Sequence, residues 1–438
     1  MSQPIQWPPS LWAAVTPPGP SCPPLDGSVD AEAVVIGAGF TGLSTALHLA
    51  RRGVDTIVLE AAEPGWGASG RNNGQVIPTL SRPDPQDIVA RHGAAGERLV
   101  HLVRDSATIL FDLVRAEGID AEAEQNGWIQ PVHSPGRMRI AERRVRQWSA
   151  HGAPVELLSR DAVRERLGSD AWHGGWWNRS GGHVNPLALA RGMATAVQRA
   201  GARVCANSPA LGMQRRADAR GERWVVSTAR GTVSARALVL ATNAYTAEFA
   251  PELAREVARE VVPVRSWQMA TAPIGEAARR RIIPGREAVS DTHGELYFMR
   301  YDARHRLVTG GALVNASNGA ERLKPYVGAR LQRLFPGIGE VRFDHVWNGW
   351  IGMTRDYFPR VHRIGPHAYA WAGCNGRAVG LSVALGRELA RAVTGARDDE
   401  LALPFTEPTP LPFHGLARRL APLMLLVYRH RDRREPAG

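Results

Sequence analysis

The amino-acid sequence predicts an α/β fold: a Rossmann-like parallel core and, elsewhere in the chain, a second and mostly antiparallel sheet. Two observations carry that reading. The stretch Ala33–Glu60 runs apolar strand, glycine-rich turn, amphipathic helix and second apolar strand. Three later segments, Val261–Thr271, Glu295–Tyr301 and Leu307–Gly310, alternate with the period of a half-buried sheet.

The first stretch also specifies chemistry. Ala33–Ile36 enters Gly37-Ala38-Gly39-Phe40-Thr41-Gly42, a G-x-G-x-x-G turn, and Leu43, Ala46, Leu47 and Ala50 then line one helix face. Gly53 ends the helix, and Thr56–Leu59 ends in Glu60, eighteen residues past Gly42. In a dinucleotide site Gly37 permits the tight turn, Gly39 admits a pyrophosphate to the backbone, and Gly42 lets helix and strand pack closely. The phosphates meet the free N–H groups at the positive end of the helix. An acid near the position of Glu60 binds ribose hydroxyls. The fingerprint alone leaves NAD and FAD both open.

At 438 residues the chain can bury a large core and make two or three domains, or two interleaved ones. A net charge of +12 raises nucleic acid as a partner. The charge is almost all arginine, with Lys324 the sole lysine, and it is spread along the chain, without the basic stripe and stacking aromatics of a nucleic-acid surface. Cys22, Cys205 and Cys374 are far apart and odd in number, which supports neither a disulfide framework nor a zinc site. Met1–Ser28 carries eight prolines and no apolar core, so it reads as an extended segment that cannot form a helix, not as a signal peptide. Ala421–Tyr428 falls well short of the ~20 apolar residues of a membrane span. The expectation is a cytoplasmic protein.

Along the chain, Gly65–Gln75 is a loop rich in glycine and asparagine. Ile88–Glu117 is helical, Gly127–Val132 a strand, and Arg137–His151 a basic surface helix. Asn185 caps a helix over Pro186–Ala200, with proline at its first position. Ala202–Cys205 is a strand, Trp224–Thr228 and Thr232–Ala235 a hairpin, and Ala237–Ala241 a buried strand. Ala320–Leu334 is helical, with Pro325 arguing for a break near its start. Val341–Trp350 and Ala368–Gly373 are strands, and Ala378–Thr394 is a helix whose N-terminus offers partial positive charge to a ligand.

Five motifs stand in order over nearly the whole chain: VVIGAGFTGLSTALHLA at Val34–Ala50, GWGASGRNNGQ at Gly65–Gln75, LVLATNAYT at Leu238–Thr246, GWIGMTRDYFP at Gly349–Pro359 and AGCNGRAVGLSVALG at Ala372–Gly386. Together they resemble the D-amino-acid oxidase and sarcosine oxidase superfamily of FAD-dependent amine oxidoreductases, in its gamma-glutamylputrescine oxidase-like branch. The resemblance implies a Rossmann-like FAD-binding domain (29–95, 181–260 and 343–400) interleaved with a mostly antiparallel α+β substrate domain (96–180 and 261–342). Residues 1–28 precede them, and 401–438 form a C-terminal extension packing on the surface, with Leu416–Arg429 as its helix.

It also implies FAD, and the absence of a cysteine from Trp347–Gly352 makes it non-covalent FAD. Gly37, Ala38, Gly39, Phe40, Thr41 and Gly42 hold the pyrophosphate, and Glu60 with Ala61 the adenosine ribose. Gly67, Ala68, Ser69, Arg71, Asn72, Asn73, Gly74 and Gln75 run from pyrophosphate to flavin ring, and Ala210 meets the adenine. Thr242 and Asn243 belong to the cofactor set, and Gly373, Asn375, Gly376, Arg377, Ala378 and Val379 face the flavin's pyrimidine end.

Three departures from the sarcosine type are visible. No cysteine stands in Trp347–Gly352, before Thr354-Arg355-Asp356; Gly376-Arg377-Ala378 replaces Gly-His-Gly; and the strand that carries a lysine in that type has none here. The implied reaction is oxidation of the C–N bond of a small amine or amino acid, such as a gamma-glutamyl-polyamine, by hydride transfer and imine hydrolysis. Tyr297 and Trp350 are the candidates for the substrate pocket, and Arg377 for the charge that serves oxygen. No His/Asp pair stands out as a base. An NAD(P)H-dependent reductase or monooxygenase would need a second nucleotide site, and the one other G-x-G-x-x-G, Gly65–Gly70, lies in the loop after Glu60 and not between a strand and a helix. A non-catalytic flavoprotein docking through the basic tail Arg418–Arg434 is the third reading.

Overall fold

A computed structural model of the chain describes residues 5–218 and 221–435. Two large sheets organise it. The first has nine strands around a parallel centre in which Gly27–Ile36 lies between Gly231–Leu240 and Thr56–Leu59. Arg203–Cys205 extends it on one side and Ala368–Ala372 on the other, both parallel to their neighbours. The reason is patterning: Ala33, Val34, Val35 and Ile36 are all buried, as a strand covered on both faces requires. Thr232–Ala235 and Ala237–Ala241 prove to be one ten-residue strand, because both halves pair in register with Gly27–Ile36.

Helices Phe40–Ala50 and Val379–Val393 pack against each other on one face of this sheet. Contact is close because Gly386 meets Ser44: a Cβ there would lie 2.5 Å from the Ser44 Cβ. Helix Pro85–Glu117 joins them through Gly380, whose missing Cβ would meet the Ser106 carbonyl at 3.0 Å. That helix opens with a capping box between Asp84 and Asp87 and bends at Gly93, whose φ of 54° only glycine adopts freely.

The second sheet has eight strands, and all its pairings are antiparallel except that of Ala288–Ser290 with Trp128–Pro131. Val262–Pro273, Phe298–Tyr301 and Arg306–Gly311 share it, as their alternation predicts. Helix Gly319–Leu334 covers it with buried Leu323, Val327, Leu331 and Leu334. The helix runs through Pro325 without a break, held by that apolar face at the loss of one backbone donor.

Four boundaries differ from the sequence reading. Strand Phe343–Met353 pairs with Val262–Pro273 and so belongs to the second sheet, not to the nucleotide layer. The division at 95/96 falls inside helix Pro85–Glu117, whose Leu99 and Val103 share a core with Ala33 and Val35. Residues 178–183, whose asparagine and paired glycines read as a loop, hold the end of strand Gly175–Asn178 and the short strand Gly182–His183. The proline-rich N-terminus holds a short helix, Leu11–Val15, because Ser10 to Thr16 are free of proline and Ser10 Oγ accepts the Ala13 N–H at 3.0 Å.

Candidate active site

A cavity of about 950 Å³ lies between the two sheets. That is the upper end of small-molecule sites, roughly 300–1,000 Å³, as an extended dinucleotide with a substrate needs. Gly37, Gly39, Phe40, Thr41, Glu60, Ala61 and Ala210 line one end. Ala38 and Gly42 lie behind that wall and shape it. A Cβ at Gly42 would sit 1.9 Å from the Gly37 carbonyl, and one at Gly39 would sit 2.8 Å from Ser69 Oγ. Helix Phe40–Ala50 starts at Gly39, which has no side chain to cap it; Ser69 Oγ accepts the Phe40 N–H at 3.1 Å, and the positive end of the helix faces the cavity.

Glu60 is more than an end marker. Its Oε2 accepts the Ala38 N–H at 2.7 Å and its Oε1 the Ala62 N–H at 3.0 Å. Burial raises its pKa, against the pull of those backbone donors. The carboxylate therefore fixes the turn's backbone while forming part of the cavity wall.

Gly67, Ala68, Ser69 and Arg71–Gln75 line the middle. This loop is held by three donors from separate elements on three successive carbonyls. Trp347 Nε1 donates to Arg71 O at 2.8 Å, Trp12 Nε1 to Asn72 O at 2.9 Å, and Arg300 Nε to Asn73 O at 2.9 Å. The buried N-terminal helix thus has a purpose in the site: its Trp12 props the loop. Arg71 Nε donates to Trp66 O at 2.6 Å, and its guanidinium lies 4.1 Å from the Trp66 ring centre. Burial lowers the Arg71 pKa, and Nη2 has no partner.

Thr242, Asn243, Asn375, Gly376, Arg377, Ala378 and Val379 complete the wall. Gly373 lies behind it at φ 82°, its N–H donating to Asn243 Oδ1 at 3.1 Å. Asn375 Oδ1 accepts the Thr354 N–H at 2.9 Å, tying the last turn to the T-x-D segment. Asp356 of that segment pairs with Arg360 at 2.7 Å and Arg91 at 2.5 Å. Arg377 is buried and forms no ion pair among the described residues. Its Nη1 donates to Thr79 Oγ1 at 3.1 Å and Leu80 O at 3.2 Å. Burial, then the charge of Arg144, lowers its pKa to about 9, so it carries its charge at pH 7. Lys324 lies elsewhere, half-buried and paired with Glu321 at 3.0 Å.

The remaining end of the cavity is walled by the second sheet and the C-terminal extension. Trp350 lines it, with the Arg265 guanidinium 4.8 Å from its ring centre and its N–H on Tyr245 Oη at 3.2 Å. Tyr297 does not line it. Leu296, with a left-handed φ of 56°, and Phe298 line the cavity, while the Tyr297 ring stacks on His293 at 4.0 Å with Arg330 at 4.3 Å. The expectation of no His/Asp pair is also overturned: His293 lines the cavity with Nδ1 2.5 Å from Asp291 Oδ2. Burial acts to raise the Asp291 pKa, but His293 and backbone donors outweigh it and hold it low. His293 also stacks on His133 at 3.9 Å, so its ring plane is fixed from both sides. The signal in the sequence was short, Asp291-Thr292-His293, just before the predicted strand.

The C-terminal helix Met424–Arg434 puts Leu425, Tyr428 and Asp432 into this wall, where the sequence suggested only surface packing. Arg429 pairs with Glu295 at 2.8 Å, Asp432 accepts the Gly294 N–H at 2.9 Å, and Glu435 meets Arg137 at 2.5 Å. Tyr428 Oη lies 3.1 Å from Tyr357 Oη. No described helix is long and apolar enough to cross a membrane.

The cradle fits FAD on its own geometry: glycines where a Cβ would collide, two helix starts whose N-cap residues, Gly39 and Ala378, bring no capping side chain, and a carboxylate in the wall beside the first. Comparison with known proteins agrees. The model of the DAO family, FAD dependent oxidoreductase, matches residues 32–392. Gamma-glutamylputrescine oxidoreductase of Escherichia coli (strain K12) is 31% identical over 374 residues, 85% of each chain. Probable oxidoreductase OrdL of Haemophilus influenzae is 30% identical over 387 residues, 86% of each chain. Among solved structures, glycine oxidase from Geobacillus kaustophilus superposes with a TM-score of 0.69 at 22% identity, covering 84% of this chain and 96% of that one, which shows the shared fold. With the cradle and these likenesses in hand, the chain belongs to the DAO family of FAD-dependent oxidoreductases and acts on an amine or amino acid.

Proposed function

We propose that the amine this enzyme oxidises also carries a carboxylate, as a gamma-glutamyl-polyamine does. The observation that carries the reading is the charge of the cavity end beside the second sheet. Arg82, Arg265 and Arg355 line it, and none of them forms an ion pair among the described residues. The acids there are engaged already: Asp291 with His293, Glu295 with Arg429, and Asp432 with the Gly294 N–H. A site with spare guanidinium groups and no spare carboxylate favours an anionic end on its ligand. The Escherichia coli relative, a gamma-glutamylputrescine oxidoreductase, points to the same class of substrate.

FAD, when bound, supplies the acceptor for a hydride from the carbon beside the amine nitrogen, and water then hydrolyses the imine. The chain's own residues bind and orient. The turn Gly37–Gly42 takes the pyrophosphate and Glu60 the adenosine ribose. The pinned loop Ser69–Gln75 and the turn Asn375–Val379 would hold the flavin, where the start of helix Val379–Val393 would stabilise negative charge gained on reduction. Trp350 gives the substrate an apolar face between Arg265 and the loop. His293, held through Nδ1 by Asp291, can take the proton of an arriving ammonium group at Nε2. An NAD(P)H-dependent reaction is not favoured.

The test compares anaerobic flavin bleaching by an amine bearing a distal carboxylate with bleaching by its carboxamide. The carboxylate should have the lower KM, and Arg265→Gln or Arg355→Gln should raise it about tenfold, as loss of a charge-assisted contact implies. Equal KM for the two ligands, unchanged in both variants, would contradict the proposal.

A further inference from the structure

The C-terminal extension has two faces. Leu425, Tyr428 and Asp432 point into the cavity wall. Phe413, Leu416, Leu420, Leu423 and Val427 follow one another at intervals of three, four, three and four residues, which along these helices makes a continuous second stripe. None of the five lines the cavity. Phe413 is 82% exposed, Leu416 56%, Leu420 48%, Leu423 45% and Val427 54%. Leu426 is exposed beside it, Met424 is exposed at the edge shared with the cavity wall, and only two other large apolar side chains of the described residues, Leu157 and Leu211, are exposed. Helices on a protein surface normally turn the apolar side inward; here the helix is anchored by its polar contacts and presents the apolar side to the outside.

Charge identifies what covers it. From Pro408 to Arg431 the chain has no Asp or Glu, while Arg418, Arg419, Arg431, Arg433 and Arg434 are all exposed in the same extension. The acids that follow are turned inward, Asp432 to Gly294 and Glu435 to Arg137. An apolar stripe flanked only by arginines matches the boundary of an anionic bilayer: acyl chains below, phosphates at the rim. A protein partner would call for mixed charges at the rim, and a second copy would set arginine against arginine.

We propose that this extension, His414–Arg434, docks the enzyme on an anionic lipid surface without spanning it. The element that meets the lipid is then also the wall of the cavity end opposite the nucleotide turn.

Flotation of the FAD-loaded enzyme with vesicles tests this. Phosphatidylcholine vesicles containing phosphatidylglycerol should carry the enzyme up, and vesicles of phosphatidylcholine alone should carry little. Leu416→Gln, Leu420→Gln and Val427→Gln combined should cut partitioning by on the order of tenfold or more, with FAD retention unchanged because none of the three touches the cavity. Arg419→Gln with Arg433→Gln and Arg434→Gln should weaken binding to the anionic vesicles and flatten its salt dependence. No flotation of the wild type, or equal flotation of wild type and the leucine/valine variant, overturns the proposal. So does a wild-type dimer in lipid-free buffer that the same variant dissociates, since a second copy would then cover the stripe.

Discussion

The Glu60 carboxylate grips the Ala38 N–H at 2.7 Å, so the acid that ends the second strand holds the turn that ends the first. Glu60 thus fastens the turn and lines the cavity end proposed for the nucleotide. Glu60→Gln keeps an acceptor for one backbone donor and loses the charge. It should weaken FAD binding by ~1.5–3 kcal/mol, the worth of hydrogen bonds to a charged group. The rate at saturating FAD should stay near normal. Glu60→Ala should lose more, because Ala38 and Ala62 N–H groups both lose their partner. Equilibrium dialysis of FAD decides, and unchanged affinity in both variants would remove Glu60 from the site.

FAD should be held without a covalent bond. Trp347–Gly352 has no cysteine, and Cys374 is the one cysteine lining the cavity among the described residues, its Sγ 3.8 Å from Gly352 O. Acid precipitation should leave all the flavin in the supernatant, for wild type and Cys374→Ser alike. Flavin in the wild-type pellet that the variant releases would show a bond to Cys374.

Acid should destabilise the protein well above the range of its carboxylates. Burial, then Arg51 and Arg52, lowers the His48 pKa from 6.5 to about 4, and burial, then His293, lowers His133 to about 4. Both are depressed in the folded state. The stability tied to their neutral forms is therefore complete above pH 6.5 and is lost as pH falls toward 4. Each contributes on the order of 1–3 kcal/mol to that loss. Tm should fall between pH 7 and pH 5, and His48→Gln should flatten the fall. A Tm equal at both values would contradict the burial argument.

Much of this was legible in the sequence, and the reasons are local. The turn Gly37–Gly42 and the strand ending in Glu60 announce themselves because steric need confines each to few residue types. Tyr297 was misplaced because a candidate chosen by residue type does not fix which side of the chain it faces; Leu296 and Phe298 took the cavity side. The pins on Arg71, Asn72 and Asn73 come from Trp347, Trp12 and Arg300, a long-range convergence that no spacing records. The same holds for the tail: its apolar residues read as one packed helix, but Arg429, Asp432 and Glu435 fix it by the opposite face.

Arg377 should govern the reaction with oxygen. A buried charge without a carboxylate partner stabilises developing superoxide, but arginine spreads that charge over a larger, weakly hydrated group than the lysine of sarcosine-type oxidases. Reoxidation by oxygen should therefore be slower than by a quinone or dye, and Arg377→Met should slow the oxygen reaction further while sparing the dye. Stopped-flow mixing of reduced enzyme with each acceptor measures both. Oxygen as fast as the dye, and indifferent to Arg377→Met, would remove the charge from the account.

Anaerobic mixing of the purified, FAD-loaded protein with a panel of amines and amino acids, and separately with NADPH, decides which donor reduces the flavin. Absorbance of oxidised flavin is the readout. The account predicts rapid bleaching by an amine that carries a carboxylate, faster as pH rises toward the ~10 of an alkylamine because the neutral amine is the form that reacts. It predicts no comparable bleaching by NADPH. Rapid reduction by NADPH, with no response to any amine, would contradict it.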